Sequence, residues 1–108
     1  MDEQDFYKRA DEALTELYKL LSRAADDADF EPDFNNGALS IEFEDQPARF
    51  VVSPNSPVRQ IWVSARSKSY KLDWDQCRGT FILPETGATL TELVQDAITQ
   101  QLGKEVNL

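Results

Sequence analysis

Residues 26–44 read Asp26-Asp27-Ala28-Asp29-Phe30-Glu31-Pro32-Asp33-Phe34-Asn35-Asn36-Gly37-Ala38-Leu39-Ser40-Ile41-Glu42-Phe43-Glu44. Asn36-Gly37 is a strong two-residue hairpin signal, because both residues tolerate the positive φ that such a turn needs. After it, Leu39, Ile41 and Phe43 alternate with Ser40, Glu42 and Glu44. That period of two predicts a half-buried strand over 38–44. Before it, the acids at 27, 29, 31 and 33 alternate with Ala28, Phe30, Pro32 and Phe34. On one extended strand they would line a single side. Pro32 places that strand at a sheet edge, since it donates no ladder hydrogen bond.

Working outward, four more short runs carry strand character. They are Arg49–Ser53, ended by Pro54-Asn55-Ser56-Pro57, then Gln60–Ser64, Tyr70–Trp74 and Thr80–Leu83. With Ile61 and Val63 inward, Gln60, Trp62 and Ser64 face out. Helical spacing flanks the strands on both sides. Phe6, Ala10, Ala13, Leu14, Leu17, Leu21 and Ala24 form one stripe over residues 3–25, with Asp2 as cap. Leu90, Leu93, Val94, Ala97, Ile98 and Leu102 form a second, opened by the capping box Thr89–Glu92 and closed by Gly103. Hairpin succession implies an antiparallel sheet, and two singly striped helices cover one of its faces. The expected fold is α+β: a two-layer sandwich of two helices on an antiparallel sheet of five to six strands. The 108 residues suit one domain, 1–108.

Composition excludes several kinds of chemistry. There is no histidine, so the Ser-His-Asp and Cys-His arrangements and the commonest zinc ligand are missing. The single cysteine, Cys77, forms no internal disulfide, and it falls in a turn with no second thiol to support redox work. The four glycines are scattered and build no phosphate loop. No apolar run is long enough for a membrane span, and the acidic start lacks the pattern of a secretory signal. These readings predict a cytoplasmic protein that is not an enzyme.

Eleven basic and twenty acidic residues give a net charge of −9. Residues 1–45 carry −10, residues 46–78 carry +4 and residues 79–108 carry −3. Such a surface repels nucleic acid and anionic membranes and attracts cations and basic protein patches. Asp26, Asp27, Asp29, Glu31 and Asp33 gather at the end of the first helix and on the first strand, with Asp11 on the helix flank leading to them. Carboxylates are hard ligands for Fe²⁺, Mg²⁺, Ca²⁺ or Mn²⁺. Without His or Cys beside them, binding is expected to be weak and poorly selective. The plain alternative is a solvated acidic face. Trp62, pointing outward, is the candidate interface residue; the alternative is a Trp packed over a neighbouring strand.

Pro57-Val58-Arg59-Gln60-Ile61-Trp62-Val63-Ser64, followed by Ser69-Tyr70-Lys71-Leu72-Asp73-Trp74, resembles the signature strand region of the frataxin family. Asn36–Phe43 resembles the family's hairpin, and Thr91-Glu92-Leu93 with Ala97–Gln101 its second helix. The similarity covers essentially the whole chain, and the short length is like the bacterial branch. The resemblance implies two helices on an antiparallel sheet and a role in iron–sulfur cluster assembly. It implies weak iron binding (Fe²⁺ or Fe³⁺) by an acidic ridge, for which Asp11, Asp26, Asp27, Asp29, Glu31 and Asp33 match. It implies docking on a cysteine desulfurase and its scaffold protein, with Gln60 and Trp62 on the scaffold side, Asp29 and Glu31 on the ridge, and a monomer in the absence of iron. The last turns of the first helix depart from the pattern: Tyr18, Lys19, Ser22 and Arg23 stand where the family is usually acidic. Two other functions fit the charge: an acidic decoy for a nucleic-acid-binding protein, and a simple iron buffer.

Overall fold

In the computed structural model, which describes residues 1–108, Asn36 and Gly37 take φ values of 55° and 78°. Positive φ at both central residues matches the twist of the strands they join. Those strands are β1 (Phe30–Asn35) and β2 (Ala38–Phe43). The turn fixes their register, with Asn35 opposite Ala38, Asp33 opposite Ser40 and Glu31 opposite Glu42. The ladder runs on past the strand ends, where the Glu44 N–H donates to the Asp29 carbonyl at 3.1 Å. Hydrogen-bonded pairs alternate with non-bonded ones. Phe30, Pro32 and Phe34 therefore turn their backbone polar groups away from β2. The N–H that Pro32 lacks is one that would have faced the open edge, so no ladder bond is lost.

β3 (Arg49–Asn55), β4 (Gln60–Ala65), β5 (Lys68–Asp75) and β6 (Thr80–Ile82) follow. Each is antiparallel to its predecessor, and the spatial order is β1-β2-β3-β4-β5-β6. The upper expected count of six strands is the one realised. Two local expectations are corrected. Pro54 does not end the third strand: it lies within β3, opposite Ile61, with Ser53–Trp62 and Asn55–Gln60 paired on either side. One missing donor near a strand end leaves the neighbouring pairs in register. Asp27 does not lie on the first strand. Residues Ala25–Asp27 form a 3-10 turn and β1 starts at Phe30, so the alternating acids belong to two different local structures.

The helices are α1 (Glu3–Ala24) and α2 (Leu90–Leu102). The Asp2 carboxylate accepts from the Asp5 N–H at 2.8 Å and caps α1. Thr89 and Glu92 form the expected reciprocal capping box. Phe6, Ala10, Leu14, Leu17 and Leu21 of α1 and Leu90, Val94, Ala97 and Ile98 of α2 are buried against the inner face of the sheet. That face supplies Leu39, Ile41, Phe50, Val52, Ile61, Leu72 and Phe81. No polar or charged residue is buried, so the core is held by apolar packing alone.

Periodicity gives no signal for residues 104–108, yet the tail folds back along α2. Val106 is buried at 6% exposure. Its N–H donates to Thr99 Oγ1 at 3.1 Å, and the Leu108 N–H donates to Gln95 Oε1 at 2.9 Å. Gly103 makes the reversal, with φ 71° in the left-handed region where a side chain is disfavoured. Both helices lie on one side of the sheet, which leaves the other side open.

Candidate functional site

The edge hairpin positions the acids. Glu31 and Asp33 point outward from β1 and are exposed, as period two requires. Asp29 shares their parity and is exposed one turn of the ladder earlier. Asp26 and Asp27 stand exposed on the 3-10 turn that joins α1 to this strand. Asp11 lies at the other end of the edge, beside a hollow it lines with Asn36, Gly37 and Pro54. The rest of α1, from Asp11 to Ala24, and then the 3-10 turn separate Asp11 from Asp27, roughly 25 Å at about 1.5 Å per α-helical and 2.0 Å per 3-10 residue. The six acids thus form a long row rather than a cluster. No three of them converge closely enough to hold a metal ion.

Strand pairing adds members that sequence reasoning did not single out. Glu42 lies directly opposite Glu31, and Arg49 lies opposite Glu42 on the far side. Glu44 pairs with Asp29 through the backbone and is also exposed. The signal was present in the sequence. Residues equidistant from a two-residue turn face each other, so Asn36-Gly37 alone pairs 31 with 42 and 29 with 44. Like charges directly opposite are destabilising, so the row is maintained against a small folding penalty.

The basic interruption on α1 has a local cause. Tyr18 leans on Phe34 edge to face, with ring centroids 6.1 Å apart, and ties the helix to β1. Arg23 occupies the last turn of α1, where the negative end of the helix dipole favours a cation. The acidic row is therefore carried by the hairpin and the 3-10 turn, with little from the end of the helix.

Across the open face, Trp62 on β4 is 37% exposed, as expected from its parity. Lys71, its cross-strand neighbour on β5, holds its ammonium 5.0 Å from the indole centroid. A hollow of about 340 Å³ opens beside the ring, lined by Val51, Ser53, Ser64 and Ser69. Gln60 is half-buried on the same face. The largest cleft lies elsewhere, between the start of α1 and the β4–β5 region, at about 660 Å³. Its cations already serve the chain. The Arg9 guanidinium sits 4.6 Å above Trp74, and Arg59 donates to the carbonyls of Met1 and Ser56. Cys77 is exposed in a turn, its N–H bonded to the Asp75 carboxylate.

One carboxylate is held below the usual range. The Thr89 backbone N–H, and then its hydroxyl, stabilise ionised Glu92, with Arg78 adding a smaller favourable field. This group serves the α2 cap and lies apart from the acidic row.

A family model for the frataxin-like domain matches residues 1–104. The chain belongs to the frataxin family. Two relatives carry the name "Iron-sulfur cluster assembly protein CyaY". The one from Azotobacter vinelandii is 31% identical over 100 residues, covering 91% of this chain and 90% of that protein. The one from Tolumonas auensis is 31% identical over 93 residues, covering 84% and 86%. Among solved structures, the frataxin of Psychromonas ingrahamii superimposes with a TM-score of 0.84 at 21% identity, over 99% of this chain and 97% of that one. That likeness shows the frataxin fold, and it agrees with the two helices and the antiparallel sheet described above. No helix is long and apolar enough to cross a membrane.

Proposed function

We propose that this chain is a non-catalytic adaptor of iron–sulfur cluster assembly. It docks by its acidic row on the complex of cysteine desulfurase and scaffold protein and modulates the delivery of sulfur and iron. The observation that carries this reading is the exposed row Asp29, Glu31 and Asp33, reinforced by Glu42, next to an open sheet face on which Trp62 stands exposed. The row offers a basic patch of the desulfurase a long complementary field. Trp62, with Gln60 beside it, offers the scaffold an aromatic anchor. The name borne by the two relatives supports the pathway.

Iron enters as cargo. The donors are all carboxylate oxygens, which suit Fe²⁺. They are strung out along an edge and do not converge, which suits exchangeable association and not a resident cofactor. Asp11, Asp26 and Asp27 extend the row at its two ends. Cations on the row and the basic face of the desulfurase compete for the same charges, so iron weakens docking. The chain acts as one frataxin-like domain over residues 1–108, in the cytoplasm, and is a monomer without iron. The acidic-decoy reading requires negative charge along a whole face, whereas Arg49 and Lys71 stand on the open sheet face. A buffering protein would need convergent ligands.

Binding to the cognate desulfurase, titrated against salt with and without Fe²⁺, tests the proposal. Steep salt dependence is expected, with a loss of about tenfold for Asp29→Lys or Glu31→Lys. Absence of binding at low salt, with scaffold present, would overturn it.

A further inference from the structure

Trp62 is held by more than its strand. Its indole N–H donates to Gln60 Oε1 at 3.0 Å, and Gln60 Nε2 donates to Asp73 Oδ1 at 3.0 Å. An indole N–H can only donate and a carboxylate can only accept, so the orientation of the amide between them is forced. Gln60 and Asp73 are cross-strand partners, and so are Trp62 and Lys71. All four side chains share the open face because they lie two apart along β4 and β5. The indole is thus tied along its polar edge, while Lys71 stands over the ring. Both polar ends of the Gln60 amide are engaged within the chain.

We propose that Gln60 and Asp73 are positioning residues, a two-link relay that fixes the Trp62 indole for docking, so that Gln60 serves the partner contact through Trp62. This inference rests on the reading of Trp62 as the docking aromatic. An exposed aromatic side chain that is free to turn loses that freedom on binding, and fixing it beforehand preserves roughly 2- to 10-fold in affinity. The relay also defines what the partner presents. With its N–H committed to Gln60, the ring offers apolar surface only. The partner meets it with an apolar side chain seated in the hollow beside Val51 and Ser53, and with a carboxylate within reach of Lys71.

Two readouts on the full chain test the relay: solvent exchange of the Trp62 indole proton by NMR, and affinity for the cognate scaffold–desulfurase complex. Asp73→Ala is expected to speed indole exchange and to weaken binding about fivefold. Asp73→Asn keeps an acceptor oxygen and is expected to restore both. Gln60→Met, similar in volume and unable to bridge, should reproduce Asp73→Ala and serves in its place should that variant fail to fold. In a Trp62→Phe background, Asp73→Ala should cost no further affinity. Unchanged indole exchange in Asp73→Ala and Gln60→Met would overturn the relay. The same fivefold loss in the Trp62→Phe background would overturn its positioning role, since Asp73 would then act on the partner directly. A wild-type chain that fails to bind the complex would overturn the docking reading, and the exchange measurement would still decide whether the relay exists.

Discussion

Trp62 and Glu31 show how a single outward position is chosen. Parity on β4 puts Trp62 opposite the core, and its 37% exposure is what remains after Lys71 and Gln60 close around it. Trp62→Ala is expected to leave folding stability within about 1 kcal/mol of wild type. Scaffold binding should fall by about 2 kcal/mol or more. Chemical denaturation and calorimetric titration measure the two separately, and a large loss of stability would mark Trp62 as core. Glu31 faces Glu42 across the ladder. Glu31→Lys should replace repulsion with attraction and stabilise the fold by about 0.5 kcal/mol. That corresponds to a melting temperature roughly 2–4 °C higher, read by circular dichroism, in the same variant that loses docking. Residue types and parity made Trp62 and Glu31 legible in the sequence. The Gln60–Asp73 link was not, because it crosses from β4 to β5 in a register set by the two-residue turn Arg66-Ser67, whose positive φ values of 53° and 65° fall on residues that give no Asn-Gly type signal.

At the scale of elements, both ends of α2 are tied down by side-chain hydrogen bonds whose contribution can be measured. Glu92 is ionised more readily in the folded chain than in the unfolded one, because Thr89 bonds its carboxylate. Its contribution is therefore present at neutral pH, above its unfolded value, and is lost as pH falls through its lower folded value. Stability curves of wild type and Glu92→Ala should be separated at neutral pH and converge in acid. At the other end, Val106→Ala removes buried methyl groups beside Thr99 and should cost about 1–2 kcal/mol in urea denaturation. Both helices, both caps and the first hairpin were readable from spacing and from Asp2, Thr89, Glu92, Gly103 and Asn36-Gly37. The tail at 104–108 was not, since a single valine has no period. Pro54 misled for a related reason: a lone proline near a strand end costs one donor, and the pairs around it carry the ladder.

The whole molecule is a separation of charge. The acids crowd the β1–β2 edge and the helix-to-strand turn, while Arg49, Lys68 and Lys71 lie on β3 and β5. A cation that binds only the folded row relieves repulsion and raises stability by linkage. Fe²⁺ or Mn²⁺ should raise the melting temperature beyond monovalent salt of equal ionic strength. Equal shifts would mean screening without binding. The position of the row also matters. At the far side of the sheet, Leu83 N–H bonds to the Ala88 carbonyl and Ile82 bridges Thr89, so a loop folds over β6. On β1 no such cover exists. Pro32 breaks the outward sequence of donors there, and the acids on either side of it repel a second negative strand. A neighbouring chain therefore finds an interrupted and charged template, which disfavours intermolecular sheet growth towards fibrils at this edge. A docking protein meets the same obstacle. On the proposed reading it would recognise this edge through the carboxylates, by ionic and readily reversed contacts in place of a shared backbone ladder.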